Sequence, residues 1–410
     1  MSKSINSSKR ILLWLALSNI IKSLSQWGIL VILVKFFSTE DVGCYTFGLA
    51  IAAPIFMLSN MQLKSVLVVE PVTGFDNFRV YQIIRLLSTS IATGGLIIYC
   101  ILYREINWII IAVVIYKMME SLIDILYGYL QKRDRMVWMS KSDIAKTLLS
   151  VSTCFLLTVW LRNIVTSLLS IVFISMILYV VDYIYIRHQF LPKVDKVSFK
   201  MALGIIKKSL PLGISVLFTS YITNYPRITI EGICGPEMLA YFGSYSYFVI
   251  GIFQIQAPIQ TFLRQRLSKN FHDSNIKEFK SKVDKAILVF LGIGVLFLIG
   301  FYSVGDVILR ILYKESYVEY SDVIYYLIVS QLLMSISGIY ATAVLSFNIY
   351  TKQAFISFGV FIIVLLCSKF LISNYGIYGG GYISLIAAII SVVCYMGIYL
   401  KRLNRWQVRS

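Results

Sequence analysis

Apolar runs long enough to cross a bilayer recur from one end of the chain to the other, separated by short polar stretches. A helix needs about 20 mostly apolar residues to span the hydrocarbon core. Twelve such runs are predicted, at roughly 11–36, 43–67, 80–102, 108–130, 142–161, 164–186, 209–231, 239–263, 284–302, 321–345, 353–373 and 378–400. The expected fold class is an all-α polytopic membrane protein with twelve transmembrane helices. Residues 34–51 align with 231–248, matching Glu40 to Glu237 and Tyr45 to Phe242, and Ala-Pro-Ile recurs at 53–55 and 257–259. Together with the even count, this predicts two six-helix bundles, 1–200 and 201–410, related as parallel repeats about the membrane normal. Pro54, Pro226 and Pro258 fall mid-span and are expected to kink their helices. The segment 304–317 has an apolar face broken by Arg310, Lys314 and Glu315, and is expected to lie along the outer interface.

The polar positions inside these runs carry the functional signal. In the fourth run Lys117, Glu120 and Asp124 are three and four residues apart, so they share one helix face. Three charges at a helix centre cost roughly 8–10 kcal/mol on insertion scales, and the surrounding Ile, Leu and Val return only about 3–6. That face must look into other helices or a water-filled cavity. The first run repeats the device with Asn19, Lys22 and Gln26, and the seventh with Asn224, Arg227 and Glu231 beside Pro226. Three such stripes point to a common internal cavity. The competing reading is polar glue between helices, with Lys117 and Glu120 satisfying each other within one helix. Lys22 and Arg227 have no obvious partner. Asp182 and Lys369 sit near span ends, where snorkelling to the interface accounts for them. Gln254, Gln256 and Gln260 alternate too tightly to share one face.

Composition agrees with the membrane class: 58% of the 410 residues are hydrophobic and 14% charged, against about 25% charged in a soluble domain. The net charge of +18 is explained by its distribution, which argues against a nucleic-acid partner. Connections after the first, third, fifth, seventh and eleventh runs are nearly free of Lys and Arg. The other side carries Lys3, Lys9, Arg10, the KRDR run at 132–135 with Lys141 and Lys146, the lysines before the seventh run, those from 269 to 285, and Lys401 to Arg409. By the positive-inside rule both termini are cytoplasmic. The first run reads as a signal-anchor helix. Cys44 and Cys234 read as free thiols, and His188 and His272 as surface residues of cytoplasmic loops. No catalytic constellation, metal-ligand spacing or phosphate cradle appears, so no cofactor and no metal is expected. GIYGGG at 376–381 reads as a turn and close-packing element.

Several stretches resemble one family. NMQLKSVLVVEP at 60–71 is similar to the end of the second span of bacterial polysaccharide flippases, with Glu70 where Asp is commoner. ESLIDILYGYLQKRDRM at 120–136 resembles their fourth span and basic loop, and Asn224, Pro226, Arg227, Glu231 and Gly235 match an Asn-x-Pro-Arg…Glu…Gly run, with Ala240 departing from a usual Gly. The chain is thus similar to Wzx-type flippases of the multidrug/oligosaccharidyl-lipid/polysaccharide (MOP) exporter superfamily. The resemblance implies two six-helix bundles around a central cavity in the bacterial inner membrane. It implies a cargo of oligosaccharide repeat units on undecaprenyl diphosphate, moved from the cytoplasmic to the periplasmic leaflet by alternating access. On that reading Lys22, Gln26, Lys117, Asn224 and Arg227 are substrate-binding residues. Glu120, Asp124 and Glu231 tune those cations or couple transport to H⁺ or Na⁺. The polysaccharide polymerase and chain-length machinery are candidate partners, beside membrane lipids. The alternative is a MATE-like cation-coupled exporter of small organic molecules, which would call for an acid-dominated cavity. A polymerase or ligase would call for a large outward loop, and the longest outward segment is about 302–320.

Overall fold

The structure, a computed structural model, describes residues 2–69, 78–103, 106–190, 199–253, 256–347 and 351–407. The described residues are helical almost throughout. The helices are α1 Ser2–Phe36, α2 Thr39–Asn60, α3 Leu63–Val69, α4 Phe78–Tyr103, α5 Trp108–Lys132, α6 Met136–Leu161 and α7 Ile164–Gln189. They continue with α8 Phe199–Cys234, α9 Pro236–Ile252, α10 Gln256–His272, α11 Ile276–Leu312, α12 Val323–Ser346, α13 Thr351–Tyr375 and α14 Ile377–Gln407. Their starts follow from local chemistry. Ser38, Asn107, Asn163 and Asn275 cap α2, α5, α7 and α11 by accepting hydrogen bonds from first-turn N–H groups. Glu40 and Glu237, aligned between the sequence halves, are each the second residue of their helix, α2 and α9. The GIYGGG element turns at Gly376, with φ +56°, and a Cβ on Gly379 would meet the Leu371 carbonyl carbon at 2.6 Å.

Ten helical segments, with α2 and α3 counted as one, are long and apolar enough to cross a membrane. The other two predicted runs are α5, which carries Lys117, Glu120 and Asp124, and the run at 239–263. The latter is divided: α9 ends at Ile252 and α10 begins at Gln256. Pro258 therefore falls in the first turn of α10, where a missing N–H costs nothing, and not mid-span. Pro54 and Pro226, in contrast, lie inside continuous helices. The segment 304–317 also departs from expectation. Its first two turns continue α11, and Gly305, Leu309, Tyr313 and Tyr317 are buried. The Tyr313 hydroxyl donates to Ser244 O at 3.2 Å and Tyr245 donates to Tyr317 O at 2.6 Å, so this apolar face packs on its own unit.

By backbone proximity the chain forms two compact units, Met1–Ser220 and Tyr221–Ser410, with α8 beginning in one and ending in the other. In the first, α5 packs against α2, α3, α4 and α7, while α1 lies on α6 and α6 on α7. Leu63, Leu67, Tyr81, Leu126 and Leu130 form its core around Phe78 and Tyr129, stacked 4.1 Å apart. In the second, α12 is central, against α9, α10, α11 and α14.

Candidate functional site

A cavity of about 530 Å³ opens within the first unit, walled by α1, α2, α3, α4, α5 and α6. Its polar wall is built from charge. Glu120 on α5 holds two lysines: Lys117 Nζ lies 2.8 Å from Oε2 and Lys22 Nζ, on α1, lies 3.2 Å from Oε1. One turn further, Asp124 takes Lys64 Nζ at 3.0 Å and the Arg85 guanidinium at 3.3 Å. Asp143 on α6 pairs with Lys146 at 3.0 Å and accepts from the Ser18 hydroxyl at 2.9 Å. Five cations (Lys22, Lys64, Arg85, Lys117 and Lys146) thus line the cavity with three carboxylates, which leaves a formal excess of two positive charges.

The backbone break between α2 and α3 brings two of these groups in. Met61 and Gln62 adopt left-handed conformations, φ +46° and +53°, in consecutive non-glycine residues. The Asn60 amide oxygen bonds both Arg85 and Ser121, and the opposite side of the break delivers Lys64. Close packing supports this turn. A Cβ on Gly213 would come within 2.8 Å of Met61 Cα, and one on Gly128 within 2.9 Å of Lys64 Cγ. Short residues at both points let α5 and α8 approach the broken helix.

Of the residues singled out in the sequence, Lys22, Gln26, Lys117, Glu120 and Asp124 line this one cavity. Lys22 is not unpartnered, because α1 sets it against Glu120. Lys146 is not a cytoplasmic loop residue: it is buried, salt-bridged, and 5.6 Å from the Tyr127 ring centroid. Asp182 does not snorkel. It is fully buried, accepting from Trp138 Nε1 at 2.9 Å and Ser142 Oγ at 2.6 Å. Lys369, in contrast, is exposed. Arg85 escaped the sequence reading although it is the one charge in the run 80–102, the signal that should have marked it. Glu70 and Gln254 lie outside the described residues.

Asn224 and Arg227 lie side by side in the second unit, with Arg227 Nη1 3.3 Å from Asn224 Oδ1. The guanidinium sits 4.9 Å from the Tyr247 ring centroid and faces a smaller cavity of about 80 Å³. Glu231, one turn along α8, is half-buried and is not among the residues lining that cavity.

Comparison with known proteins agrees with this architecture. Residues 9–263 match the family model described as "Polysaccharide biosynthesis protein". The chain is 26% identical over 332 residues to the capsular polysaccharide biosynthesis protein CapF of Staphylococcus aureus, covering 79% of this chain and 82% of the relative. Among solved structures, it is similar to a multidrug resistance MATE family transporter of the MOP superfamily in an inward-facing conformation. That match has a TM-score of 0.73 at 12% identity and covers 98% of this chain and 99% of the other. The lipid II flippase MurJ, in an inward closed conformation, matches with a TM-score of 0.72 at 12% identity over 97% of this chain and 91% of the other. The chain has the MOP exporter fold and is a multi-pass membrane protein.

Proposed function

Because the chain belongs to the polysaccharide biosynthesis protein family, we propose that it is a flippase for oligosaccharide repeat units linked to undecaprenyl diphosphate. It works in the bacterial inner membrane with both termini in the cytoplasm, and carries its cargo from the cytoplasmic to the periplasmic leaflet. The observation that carries this reading is the excess of two positive charges in the first unit's cavity. A diphosphate is a compact dianion, and cations in a cavity with little water are the groups that hold one. Lys22 and Lys117 bind the diphosphate, and Gln26 hydrogen-bonds the adjoining sugar. Asn224 and Arg227 are further substrate-binding residues. Glu120, Asp124 and Glu231 hold or release these cations, and the first two share their charge among four basic side chains. Uptake of H⁺ or Na⁺ at these acids drives the return step. The released repeat unit is then available to a polymerase and its chain-length machinery.

An exporter of small organic cations would require an excess of acid in its cavity, the reverse of the five-to-three balance here. The test is removal of the gene from its host. Lipid-linked oligosaccharide is expected to accumulate on the cytoplasmic face while surface polysaccharide is lost. Loss of polysaccharide with the lipid-linked unit on the periplasmic face would assign the protein a later step.

A further inference from the structure

The first turns of α11 stand outside the hydrocarbon and carry a row of lysines. Between Lys285 and Asp306 the helix has no charged residue. That uncharged stretch is about 30 Å of helix, the thickness of the hydrocarbon core, so Lys285 marks its edge. The turns before it lie at headgroup level. They are held firmly, because Phe279 and Val283 are fully buried and the Phe279 ring packs on Trp406 and Phe347 at centroid distances of 5.4 and 5.1 Å. Trp406 sets them at the same end of the second unit as the last turns of α14, the cytoplasmic end in the orientation proposed above.

The lysines divide by face. Lys282 turns inward, 2.6 Å from Glu278 Oε1, and donates to Asn270 Oδ1 at 3.4 Å. Lys277, Lys280 and Lys285 are exposed, and none has an ion-pair partner among the described residues. With Ser281, Asp284 and Leu288 they wall an open groove of about 580 Å³, whose three lysines and one carboxylate leave a formal excess of two positive charges. Deeper in the membrane the same face continues as exposed Leu288, Val295 and Ile299, seven and four residues apart. Positive charge at headgroup depth that runs directly into apolar surface at acyl-chain depth matches both ends of a phospholipid. A soluble anion would use only the upper half. We propose that this face of α11 binds one anionic phospholipid, with its phosphate on Lys277, Lys280 and Lys285 and its acyl chains along Leu288, Val295 and Ile299. Lipid binding at this groove does not depend on what the first unit's cavity carries.

The test uses full-length protein in detergent micelles, titrated separately with phosphatidylglycerol, phosphatidylcholine and glycerol phosphate, with the bound molecules counted by native mass spectrometry. Phosphatidylglycerol is expected to bind at least about tenfold more tightly than either of the others. A lysine beside the membrane surface is worth roughly fivefold in affinity for an anionic lipid, so Lys277→Gln/Lys280→Gln/Lys285→Gln should weaken it roughly a hundredfold. Lys401→Gln/Arg402→Gln/Arg405→Gln removes the same charge from the same end of the unit but outside the groove, and should weaken it less than about threefold. Lys280→Gln alone should cost roughly fivefold, and decides the matter if the triple variant fails to reach the membrane. Phosphatidylcholine or glycerol phosphate binding as well as phosphatidylglycerol, equal losses from the two triple variants, or indifference to Lys280→Gln would each overturn the proposal.

Discussion

Lys22 reaches Glu120 from another helix, its Nζ 3.2 Å from Oε1, while Lys117 holds the second oxygen of the same carboxylate at 2.8 Å. One acid therefore restrains two lysines that remain about a fifth to a third exposed to the cavity. The energetic consequence is asymmetric. Removing one lysine leaves Glu120 paired, whereas removing Glu120 leaves two like charges face to face. Glu120→Gln is expected to destabilise the protein by about 1–3 kcal/mol, between the values for exposed and buried pairs. Lys22→Gln should cost less than about 1 kcal/mol. Thermal unfolding in detergent measures both, and equal losses would show that the carboxylate is not shared.

The left-handed pair Met61–Gln62 makes a second claim. Gln62 is half-buried and, among the described residues, its side chain accepts only from Ser65, so its backbone can be tested almost in isolation. Gln62→Gly should be neutral or stabilising by up to about 1 kcal/mol, because glycine adopts positive φ without strain. Gln62→Val should destabilise by roughly 1–2 kcal/mol, since a branched Cβ is worst accommodated there. The same unfolding measurement separates them, and a reversed order would reject the turn as described.

The two close glycines are expected to differ in kind. At Gly213 an added Cβ meets the backbone of Met61, which cannot swing away, so Gly213→Ala should cost about 1–3 kcal/mol. At Gly128 the obstacle is the flexible Lys64 side chain. Gly128→Ala should cost little stability but displace Lys64 from Asp124 and reduce transport. Equal stability losses with unchanged transport would contradict this.

How much of this could be read from the sequence depended on one rule, that a charge inside an apolar run needs an explanation. Applied to Lys22, Lys117, Glu120 and Asp124, it picks out residues that line one cavity, whereas the stripe of Asn224, Arg227 and Glu231 is not part of that lining. It would also have found Arg85. Asn60 and Lys64 were legible only as part of a family-like stretch, because the turn that aims them depends on two residues with no turn signature. Lys146 was misread because it follows a basic loop. What removes it from that loop is its place inside α6, one turn from Asp143 on the same helix, on a face buried in the first unit. The division of the eighth run was legible in part: Gln254, Gln256, Pro258 and Gln260 interrupt its apolar character where α9 gives way to α10.

Asp182 supplies a control for the charge argument. It is buried but lies outside the cavity lining, held by Trp138 and Ser142. Asp182→Ala leaves the buried Ser142 hydroxyl and the more exposed Trp138 indole N–H without this acceptor and should destabilise by about 1–3 kcal/mol. Transport per folded molecule should stay unchanged. Loss of transport at normal protein abundance would move Asp182 into the functional set.

The most direct measurement of the central claim uses purified protein in sealed vesicles loaded with lipid-linked oligosaccharide. The fraction of head groups accessible to an external enzyme reports their passage across the bilayer. The wild-type protein is expected to render both leaflets accessible, and the Lys22→Ala/Lys117→Ala double variant, folded and equally abundant, to leave the inner leaflet protected. Full accessibility in the double variant would contradict the assignment of the first unit's cationic cavity to the diphosphate.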